Sequence, residues 1–172
     1  GKATYGHAGI GSASHLCGLI LMKELGIKME GVGYRGTGPA MNDLIAGQVD
    51  LMFDNLPSAL PMIESGKVVP LGVSVKQRVA TLPNVPAIAD LLPGYEVGSW
   101  FGLVAPAGTP EAVLGKLGTA TSDFVRSDAT RERIAKMGAL ADGSSPADFG
   151  KLIRAEQAKF RDIVKRANIR VE

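Results

Sequence analysis

The chain is poor in the residues that build covalent and metal-based sites. Its 172 residues include one cysteine, Cys17, and two histidines, His7 and His15. A single cysteine excludes an internal disulfide framework and any zinc or iron–sulfur site built on cysteine. No cluster of carboxylates accompanies the two histidines, so the sequence predicts neither a metal site nor a cofactor.

Long hydrophobic runs are also missing. The longest stretch without a charged residue covers residues 3–22, but glycines, serines and histidines interrupt it. Its apolar part, residues 16–22, is far shorter than the ~20 residues that a membrane helix needs. No signal peptide is visible. The residues at the start are typical of the interior of a protein, so we expect the chain to be a fragment.

Aromatic residues and net charge are both low, which argues against nucleic-acid binding. Aromatic residues make up 5% of the chain and the formal net charge is +2. The positive surplus lies in the last helix, where Lys159, Arg161 and Lys165 alternate with acids. Phe160 is the one aromatic residue within this charged stretch, residues 159–166, and falls on an apolar stripe, so no stacking platform forms. We interpret these charges as a solvated helix face and predict no nucleic-acid partner.

Glycine is abundant, at 22 of 172 residues, and it stands in ones and twos between apolar runs. This pattern is typical of tight loops between short strands and helices. It predicts strands at residues 4–8, 29–34, 49–53 and 68–75, with a helix after each of the first three. We expect the third strand to be buried on both faces because it is almost wholly apolar. Successive strand–loop–helix units predict a parallel α/β sheet whose strand-end loops meet at one edge.

The pattern changes after Lys76. Prolines surround one short predicted helix at residues 87–92, and residues 95–105 read as a long extended segment that contains Trp100. Further helices are predicted at residues 110–125, 128–137 and 146–167. The residues predicted to face inward on the helices are Leu16, Leu19, Ile20, Met41, Leu44, Ile45, Val113, Leu114, Leu117, Phe124, Phe149, Leu152, Ile153, Phe160, Ile163 and Val164.

A glycine–serine loop, residues 9–14, follows the first predicted strand and is called the first loop below. Its glycines let several N–H groups point into one concavity, the following helix adds partial positive charge, and Ser12 and Ser14 add hydroxyl donors. These features suit a carboxylate or a phosphate. A tight turn with Ser12 or Ser14 as an N-cap explains the pattern equally well. A dinucleotide fingerprint is disfavoured because it requires glycine where Ser14 stands.

A second loop of the same kind, residues 34–39, follows the second predicted strand. Gly36, Thr37 and Gly38 offer backbone amides and a hydroxyl, while Thr37 could instead simply cap the next helix. Arg35 is interpreted as a surface residue. Since loops at consecutive parallel strand ends share one edge, we expect the two loops to face the same opening.

Asp54 ends the third predicted strand at the same edge. It could accept hydrogen bonds from a ligand amine or from the N–H groups of the other loops, or it could cap the helix that begins near Pro57. The sequence does not decide between these roles.

A nucleophilic enzyme is an alternative class, a hydrolase that would use Ser12 or Ser14. His15 lies on the first helical turn, from which it does not easily reach back as a base. The Gly-x-Ser-x-Gly elbow is absent. Cys17 lies within an apolar helix and is interpreted as a core residue.

Four motifs, in this order, are together specific: Gly-x-Gly-Ser-x-Ser-His-Leu at 9–16, Tyr-Arg-Gly-Thr-Gly-Pro-Ala at 34–40, Gly-Gln-Val-Asp-Leu-Met-Phe-Asp at 47–54 and Ser-Trp-Phe-Gly-Leu-Val-Ala-Pro-Ala-Gly-Thr-Pro at 99–110. They resemble the Bug family, the TctC-like extracytoplasmic solute receptors of tripartite tricarboxylate transporters. The resemblance covers the whole length of the chain.

The resemblance implies an α/β, periplasmic-binding-protein-like (type II) fold of two lobes that close on a small carboxylate without catalysis. The carboxylate would be an amino acid, a di- or tricarboxylate or an aromatic acid. The receptor would be periplasmic, and its partners would be the membrane subunits of a tripartite transporter. Family members hold such a ligand with backbone amides, hydroxyls and ordered water. Carried over to this chain, the implied contacts are Gly11, Ser12, Ser14, Gly36, Thr37, Gly38 and Asp54.

The resemblance also implies that one lobe is incomplete here. Residues 1–97 would form the second lobe with its mostly parallel sheet, and residues 98–172 the C-terminal part of the first. The helices at 110–125 and 146–167 would then lack the sheet that their apolar stripes require, so we predict self-association through this lobe or poor order. An effector-binding regulatory domain, which shares the two-lobed architecture, is a third alternative.

Overall fold

A computed structural model of the chain describes residues 3–166, without the side chains at positions 163 and 166. The described residues fall into two compact units, residues 3–99 together with 163–166, and Trp100–Asp162. The assignment of residues 1–97 and 98–172 to two lobes stays a prediction. None of the helices described is both long enough and apolar enough to cross a bilayer.

The first unit is built on a parallel sheet of three strands. They are β1 (Thr4–His7), β2 (Glu30–Gly33) and β3 (Leu51–Met52), in the spatial order β2-β1-β3. His7 lies opposite Gly33, and Gly6 lies opposite Met52. All three strands therefore end at one edge of the sheet, which is called the loop edge below, and the predicted α/β architecture is confirmed.

Helices cover both faces of this sheet. They are α1 (Ala13–Leu25), α2 (Thr37–Ile45) and α3 (Leu56–Glu64). Tyr5 points toward α1 and comes so close to Gly18 that a Cβ there would overlap its ring, whereas Gly6 faces Ala40 of α2. This alternation follows from the two-residue period of a strand. The core of the unit lies between these layers and includes Tyr5, Leu16, Cys17, Ala40 and Val49.

The predicted fourth strand is wrong. Within the described residues, segment 68–75 makes a single isolated parallel bridge, between Val73 and Ala87, and Val69 and Leu71 are 79% and 75% exposed. An apolar run becomes a strand only where a neighbour supplies a continuous ladder of hydrogen bonds. In the described chain, this segment has only the isolated bridge at Val73 and no continuous ladder.

Three smaller expectations also differ from the structure. β3 has two residues, both half-buried, so it is not buried on both faces. Its sole partner in the described sheet is β1, which leaves it at the sheet's edge. Ile45 is 41% exposed at the end of α2, and the helix expected at 87–92 is a single 3-10 turn, Ile88–Asp90.

The irregular segment from residue 73 to residue 97 nevertheless closes the core. Val85, Ala87, Tyr95 and Val97 are buried. The Tyr95 hydroxyl donates to the carbonyl of Cys17 at 3.2 Å, and burial raises the pKa of this phenol. The segment thus buries apolar side chains against the core, as a strand would, without forming a ladder of backbone hydrogen bonds.

The second unit is helical. Its helices are α4 (Glu111–Arg126), α5 (Asp128–Lys136) and α6 (Pro146–Arg166), of which α6 runs past the end of the unit. Ser145 caps the N-terminus of α6, because its Oγ accepts from the amide of Asp148 at 3.1 Å and donates to the Asp148 carboxylate at 2.7 Å. The helices confirm the three predicted ones, although Ala167, the expected end of the last helix, lies outside the described residues.

The apolar stripes of these helices are not buried within the described part of the chain. No residue of α4 is buried, and Phe124 is 67% exposed. The expectation that Val113, Leu114, Leu117, Phe124 and Leu152 face inward is therefore wrong for these residues as described. The physical reason is that no described sheet covers these helices. The side chain of Ile163 lies outside the described residues.

The extended segment after Tyr95 forms no strand in the described structure. Trp100 instead packs edge-on against Phe149 of α6, with the ring centroids 5.3 Å apart. A Cβ on Gly102 would overlap the same phenyl ring. The Trp-Phe-Gly motif therefore has a packing role in the second unit.

Candidate functional site at the loop edge

Three chain segments meet at the loop edge because three parallel strands end there. The amide of Tyr34 donates to the carbonyl of His7 at 2.9 Å, which places the start of the second loop beside the start of the first. The position of a Cβ on Gly9 is 3.7 Å from the carbonyl oxygen of Tyr34. Asp54 follows β3 on the other side of β1. All the predicted site residues therefore lie at one edge of the sheet.

The hydroxyls of the first loop are engaged within the loop. Ser12 Oγ caps α1, because it accepts from the amide of His15 at 3.3 Å, and it donates to the carbonyl of Gly9 at 2.7 Å. Ser14 Oγ accepts from the amide of Ala8 at 3.0 Å and lies 3.0 Å from Ser12 Oγ. Both hydroxyl protons are thereby used inside the loop, so the two serines stabilise the conformation of the loop backbone.

Backbone amides at the start of α1 remain available. Within the described residues, the N–H groups of Ala13 and Ser14 donate to no protein acceptor. Gly11 has a φ of 79°, and a Cβ added there would meet no atom within 4 Å. The loop therefore presents free amides beside open space, together with the partial positive charge of a helix N-terminus.

The second loop presents a row of three free amides. Gly36, not Thr37, is the N-cap of α2, with a φ of 107° and no side-chain hydrogen bond, so the expectation of a Thr37 cap is wrong. The left-handed φ favours glycine at this position. Among the described residues, no acceptor pairs with the amides of Gly36, Thr37 and Gly38. A Cβ on Gly36 or Gly38 would meet nothing within 4 Å.

Tyr34 anchors the second loop to the helix that follows it. Its hydroxyl donates to Asp43 Oδ2 of α2 at 2.8 Å, and this hydrogen bond raises the pKa of Tyr34. Arg35 is exposed, as expected for a surface residue. The loop is therefore held from one side while its amides face outward.

Asp54 carries a carboxylate oxygen that the described protein leaves unpaired. Its Oδ1 accepts from the amide of Asn55 at 2.8 Å, whereas its Oδ2 is buried and has no partner among the described residues. Burial raises the pKa of Asp54. Asn55, not Asp54, is the N-cap of α3, so the capping alternative does not hold.

The sequence analysis did not predict that His7 and His15 form a pair against the first loop. His7 is 3% exposed, and its ring lies 4.4 Å from the ring of His15. Each imidazole accepts a hydrogen bond from a loop amide, His7 from Gly9 at 3.3 Å and His15 from Gly11 at 3.1 Å. A histidine pair at i and i+8 that flanks a glycine loop was the only signal available.

A cavity of about 340 Å³ lies beneath the first loop, between α1 and the sheet. It is lined mainly by apolar groups, with the two imidazoles and the Tyr5 ring among its walls. No group of three or more histidine, cysteine or carboxylate side chains suited to a metal occurs in the described residues. The free amides of the second loop lie outside this cavity's lining.

The arrangement suits anion binding better than nucleophilic catalysis. Neither serine hydroxyl bonds to an imidazole in the described structure, and both Nδ1 atoms are occupied by loop amides. A serine nucleophile requires a base within hydrogen-bond reach. Clustered free amides at two helix N-termini, by contrast, bind a carboxylate without any side-chain charge.

Comparison with known proteins gives the family. The model of the tripartite tricarboxylate transporter family receptor, TctC, matches residues 1–169. The chain belongs to this family, which is one of solute-binding receptors and not of enzymes. The hydrolase alternative is thereby removed.

Individual relatives agree with this assignment. The UPF0065 protein in the tcbD-tcbE intergenic region of a Pseudomonas species is 33% identical over 166 residues, which cover 95% of this chain and 49% of that protein. The structure of Rhodopseudomonas palustris Rpa4515 with adipate has a TM-score of 0.93 and 36% identity, covering 97% of this chain and 56% of that one. MatC of the same species, with bound malate, has a TM-score of 0.86 and 36% identity, covering 94% and 56%.

The chain spans about half the length of these relatives. The matches confirm the periplasmic-binding-protein fold for the part of the molecule that the chain represents.

Proposed function

We propose that the chain is the part of a periplasmic solute receptor that captures a small organic carboxylate for a tripartite transporter. The observation that carries the proposal is the cluster of unpaired amides at the loop edge, above all those of Gly36, Thr37 and Gly38. Family membership and the adipate and malate bound to similar proteins support it. The membrane subunits of the transporter are the proposed partner of the closed receptor.

Backbone dipoles supply the binding energy in this proposal. A carboxylate that accepts from several preorganised N–H groups gains charge-assisted hydrogen bonds, which are roughly twice as strong as neutral ones. No lysine or arginine has to be desolvated for this purpose. Gly11 and Gly36 contribute by their left-handed conformations, which turn neighbouring amides toward the ligand.

Asp54 has a different role from that of the amides. Its unpaired Oδ2 would repel a carboxylate placed directly against it, so it accepts instead from a hydroxyl or amine of the ligand or from a bridging water. Ser12 and Ser14 hold the first loop in shape and contact the ligand through the Ser14 amide. These assignments divide the site into an anion end and an acceptor end.

Replacement of Gly38 by alanine tests the proposal. Gly38 lies in α2, and apart from its chain neighbours no atom lies within 4 Å of the added methyl. Pro39 restricts the residue before it, so the variant carries a local cost that thermal unfolding measures separately from the affinity. The methyl would crowd the space above the free amides. We expect the affinity for adipate or malate, measured by calorimetry, to fall about tenfold or more, the equivalent of one charge-assisted hydrogen bond.

Gly115→Ala is the matched control. Gly115 also lies within a helix, α4, with no atom near the added methyl. It should leave the affinity unchanged. Equal affinities for wild type, Gly38→Ala and Gly115→Ala would remove the second loop from the site. Binding of amines or sugars, with no binding of any carboxylate, would refute the proposed ligand class.

A further inference from the structure

The first loop is held by a stacked pair of imidazoles. The rings of His7, in β1, and His15, in α1, are 4.4 Å apart and tilted by 34°. His7 Nδ1 accepts from the amide of Gly9 at 3.3 Å, and His15 Nδ1 accepts from the amide of Gly11 at 3.1 Å. The pair thus fixes two of the loop's glycines, and both have a left-handed φ, 121° at Gly9 and 79° at Gly11.

These hydrogen bonds require both rings to be neutral. A nitrogen that accepts a hydrogen bond carries no proton, so the proton of each ring is on Nε2. In a protonated imidazole both nitrogens are donors, and Nδ1–H would then face an amide N–H. Protonation of both rings would also place two like charges in contact. Each protonation therefore removes a loop hydrogen bond and adds repulsion.

The surroundings do not compensate for such a charge. Tyr5 of β1, whose ring lies 5.6 Å from that of His7, is a neutral phenol whose pKa is raised by burial. β2 presents Gly31 and Gly33 to the cavity beside the pair, and α1 presents apolar side chains such as Leu19. No carboxylate among the described residues is within hydrogen-bond or ion-pair distance of either ring.

We propose that His7 and His15 are positioning residues of the first loop, and that their protonation releases the loop so that carboxylate binding weakens as the pH falls. The proposal rests on the function proposed above, since it concerns the regulation of the same site. Such a receptor binds its carboxylate at neutral pH and has a lower affinity for it in acid.

The direction in which the pKa of His15 is shifted agrees with the proposed pH dependence. Burial, and then the charge of His7, lower the pKa of His15 below its usual 6.5. The folded loop therefore resists protonation more than the unfolded chain does. Neutral His15 contributes stability that is complete above pH 6.5 and is lost as the pH falls through the lowered pKa.

Nuclear magnetic resonance of the 172-residue chain without ligand tests the device directly. Nitrogen shifts of the imidazoles should show the proton on Nε2 of both rings at neutral pH. As the pH falls, the amide resonances of Gly9 and Gly11 should move with the imidazole titration. Amide resonances that stay still while the rings titrate, or a proton on either Nδ1, would overturn the proposal whether or not a ligand binds.

His15→Asn is the conservative variant, because its Oδ1 can accept from the Gly11 amide and does not titrate. His15→Leu removes the acceptor altogether. Between about pH 7.5 and about pH 5.5, on either side of the usual histidine pKa, the affinity of wild type for adipate should fall about fivefold more than that of His15→Asn. His15→Leu should bind weakly at both pH values.

The ligand's own titration cancels in this comparison, because all three proteins meet the same adipate. Identical pH profiles for wild type and His15→Asn would show that the imidazole does not act by protonation. Failure of every protein to bind carboxylates would instead refute the proposed function, while the resonance experiment would still decide the role of the histidines.

Discussion

Replacement of Asp54 by asparagine should stabilise the first unit at neutral pH. The carboxylate of Asp54 buries an oxygen, Oδ2, that accepts no hydrogen bond from a described group, while Oδ1 accepts from the amide of Asn55. The nearby Ser58 hydroxyl donates to the carbonyl of Asn55 at 2.8 Å, and its proximity lowers the pKa of Asp54 by less than burial raises it. Asparagine keeps the Oδ1 acceptor and removes the charge. A residue kept at such a cost at a ligand-binding edge is expected where function and stability compete.

The gain comes from removal of the buried charge, because the Nδ2 of asparagine would be as unpaired as Oδ2. An unsatisfied buried polar group costs roughly 1–3 kcal/mol, and more when it is charged, so asparagine recovers only the part due to the charge. Asp54 is only half-buried, so water screens part of this penalty. We therefore expect Asp54→Asn to raise the free energy of unfolding by about 1 kcal/mol at neutral pH, an order-of-magnitude figure.

The same substitution should flatten the acid limb of the stability curve. Burial raises the pKa of Asp54 above 3.8, so the folded unit binds this proton more tightly than the unfolded chain does. Its favourable contribution is complete below pH 3.8 and is lost as the pH rises through the raised pKa. Asparagine has no such proton, and the advantage of the variant should disappear in acid.

Asp50 provides the matched control at the other end of β3. Its Oδ2 accepts from the amide and the hydroxyl of Thr4, at 2.7 and 2.9 Å, and these bonds lower the pKa of Asp50. Its contribution is present above pH 3.8 and is lost as the pH falls through the lowered pKa. Asp50→Asn should therefore destabilise the unit at neutral pH, the opposite of Asp54→Asn.

Hydrogen exchange of the β1 amides is the suitable assay, because it reports the first unit alone in a chain of two units. The slowest amides should exchange about fivefold more slowly in Asp54→Asn and faster in Asp50→Asn at neutral pH. Faster exchange in Asp54→Asn, or an advantage that persists in acid, would refute the assignment of an unpaired buried carboxylate.

Two further substitutions test close packing against glycine. Gly18→Ala would place a methyl against the ring of buried Tyr5. Overpacking should lower the free energy of unfolding of the first unit by about 1–3 kcal/mol, of which the higher helix propensity of alanine returns up to about 1 kcal/mol. The β1 amides should then exchange faster, and unchanged exchange would refute the contact. Gly102→Ala should displace Phe149 and so shift the fluorescence of Trp100, the chain's one tryptophan, whereas an unchanged spectrum would contradict the packing of the second unit.

Periodicity and capping residues predicted the helices well, because both are local. α1 ends at Gly26 with a φ of 63°, and Ser145 begins α6, as their positions in the sequence indicate. The parallel order of the first strands also followed from the strand–loop–helix pattern. These features depend on neighbours within a few turns of the chain.

The largest failures depend on distant partners. Segment 68–75 has the composition of a strand, yet Val69 and Leu71 have no ladder beside them in the described structure. The stripe of α4 is apolar and remains exposed for the same reason. Composition shows that a surface is suited to burial, but it does not show whether a partner is present.

The residues of the candidate site share one edge of the sheet, as expected, but their hydrogen bonds differ from those expected. The loops and Asp54 share one edge because parallel strands share a direction, which the sequence pattern contains. Which donors remain free depends on the hydrogen bonds that the loop makes with itself. Ser12 and Ser14 have the composition of ligand donors, and the structure uses both hydroxyls within the first loop.

A backbone site of this kind places its requirements on glycine conformation more than on polar side chains. The free amides of the second loop depend on the left-handed Gly36, and the shape of the first loop depends on Gly11 and on the imidazole that holds it. A methyl group at either glycine strains the backbone even though the space around it is open. If the proposed site is correct, the anion end would be lost without removal of a single polar side chain, whereas the acceptor end would depend on Asp54.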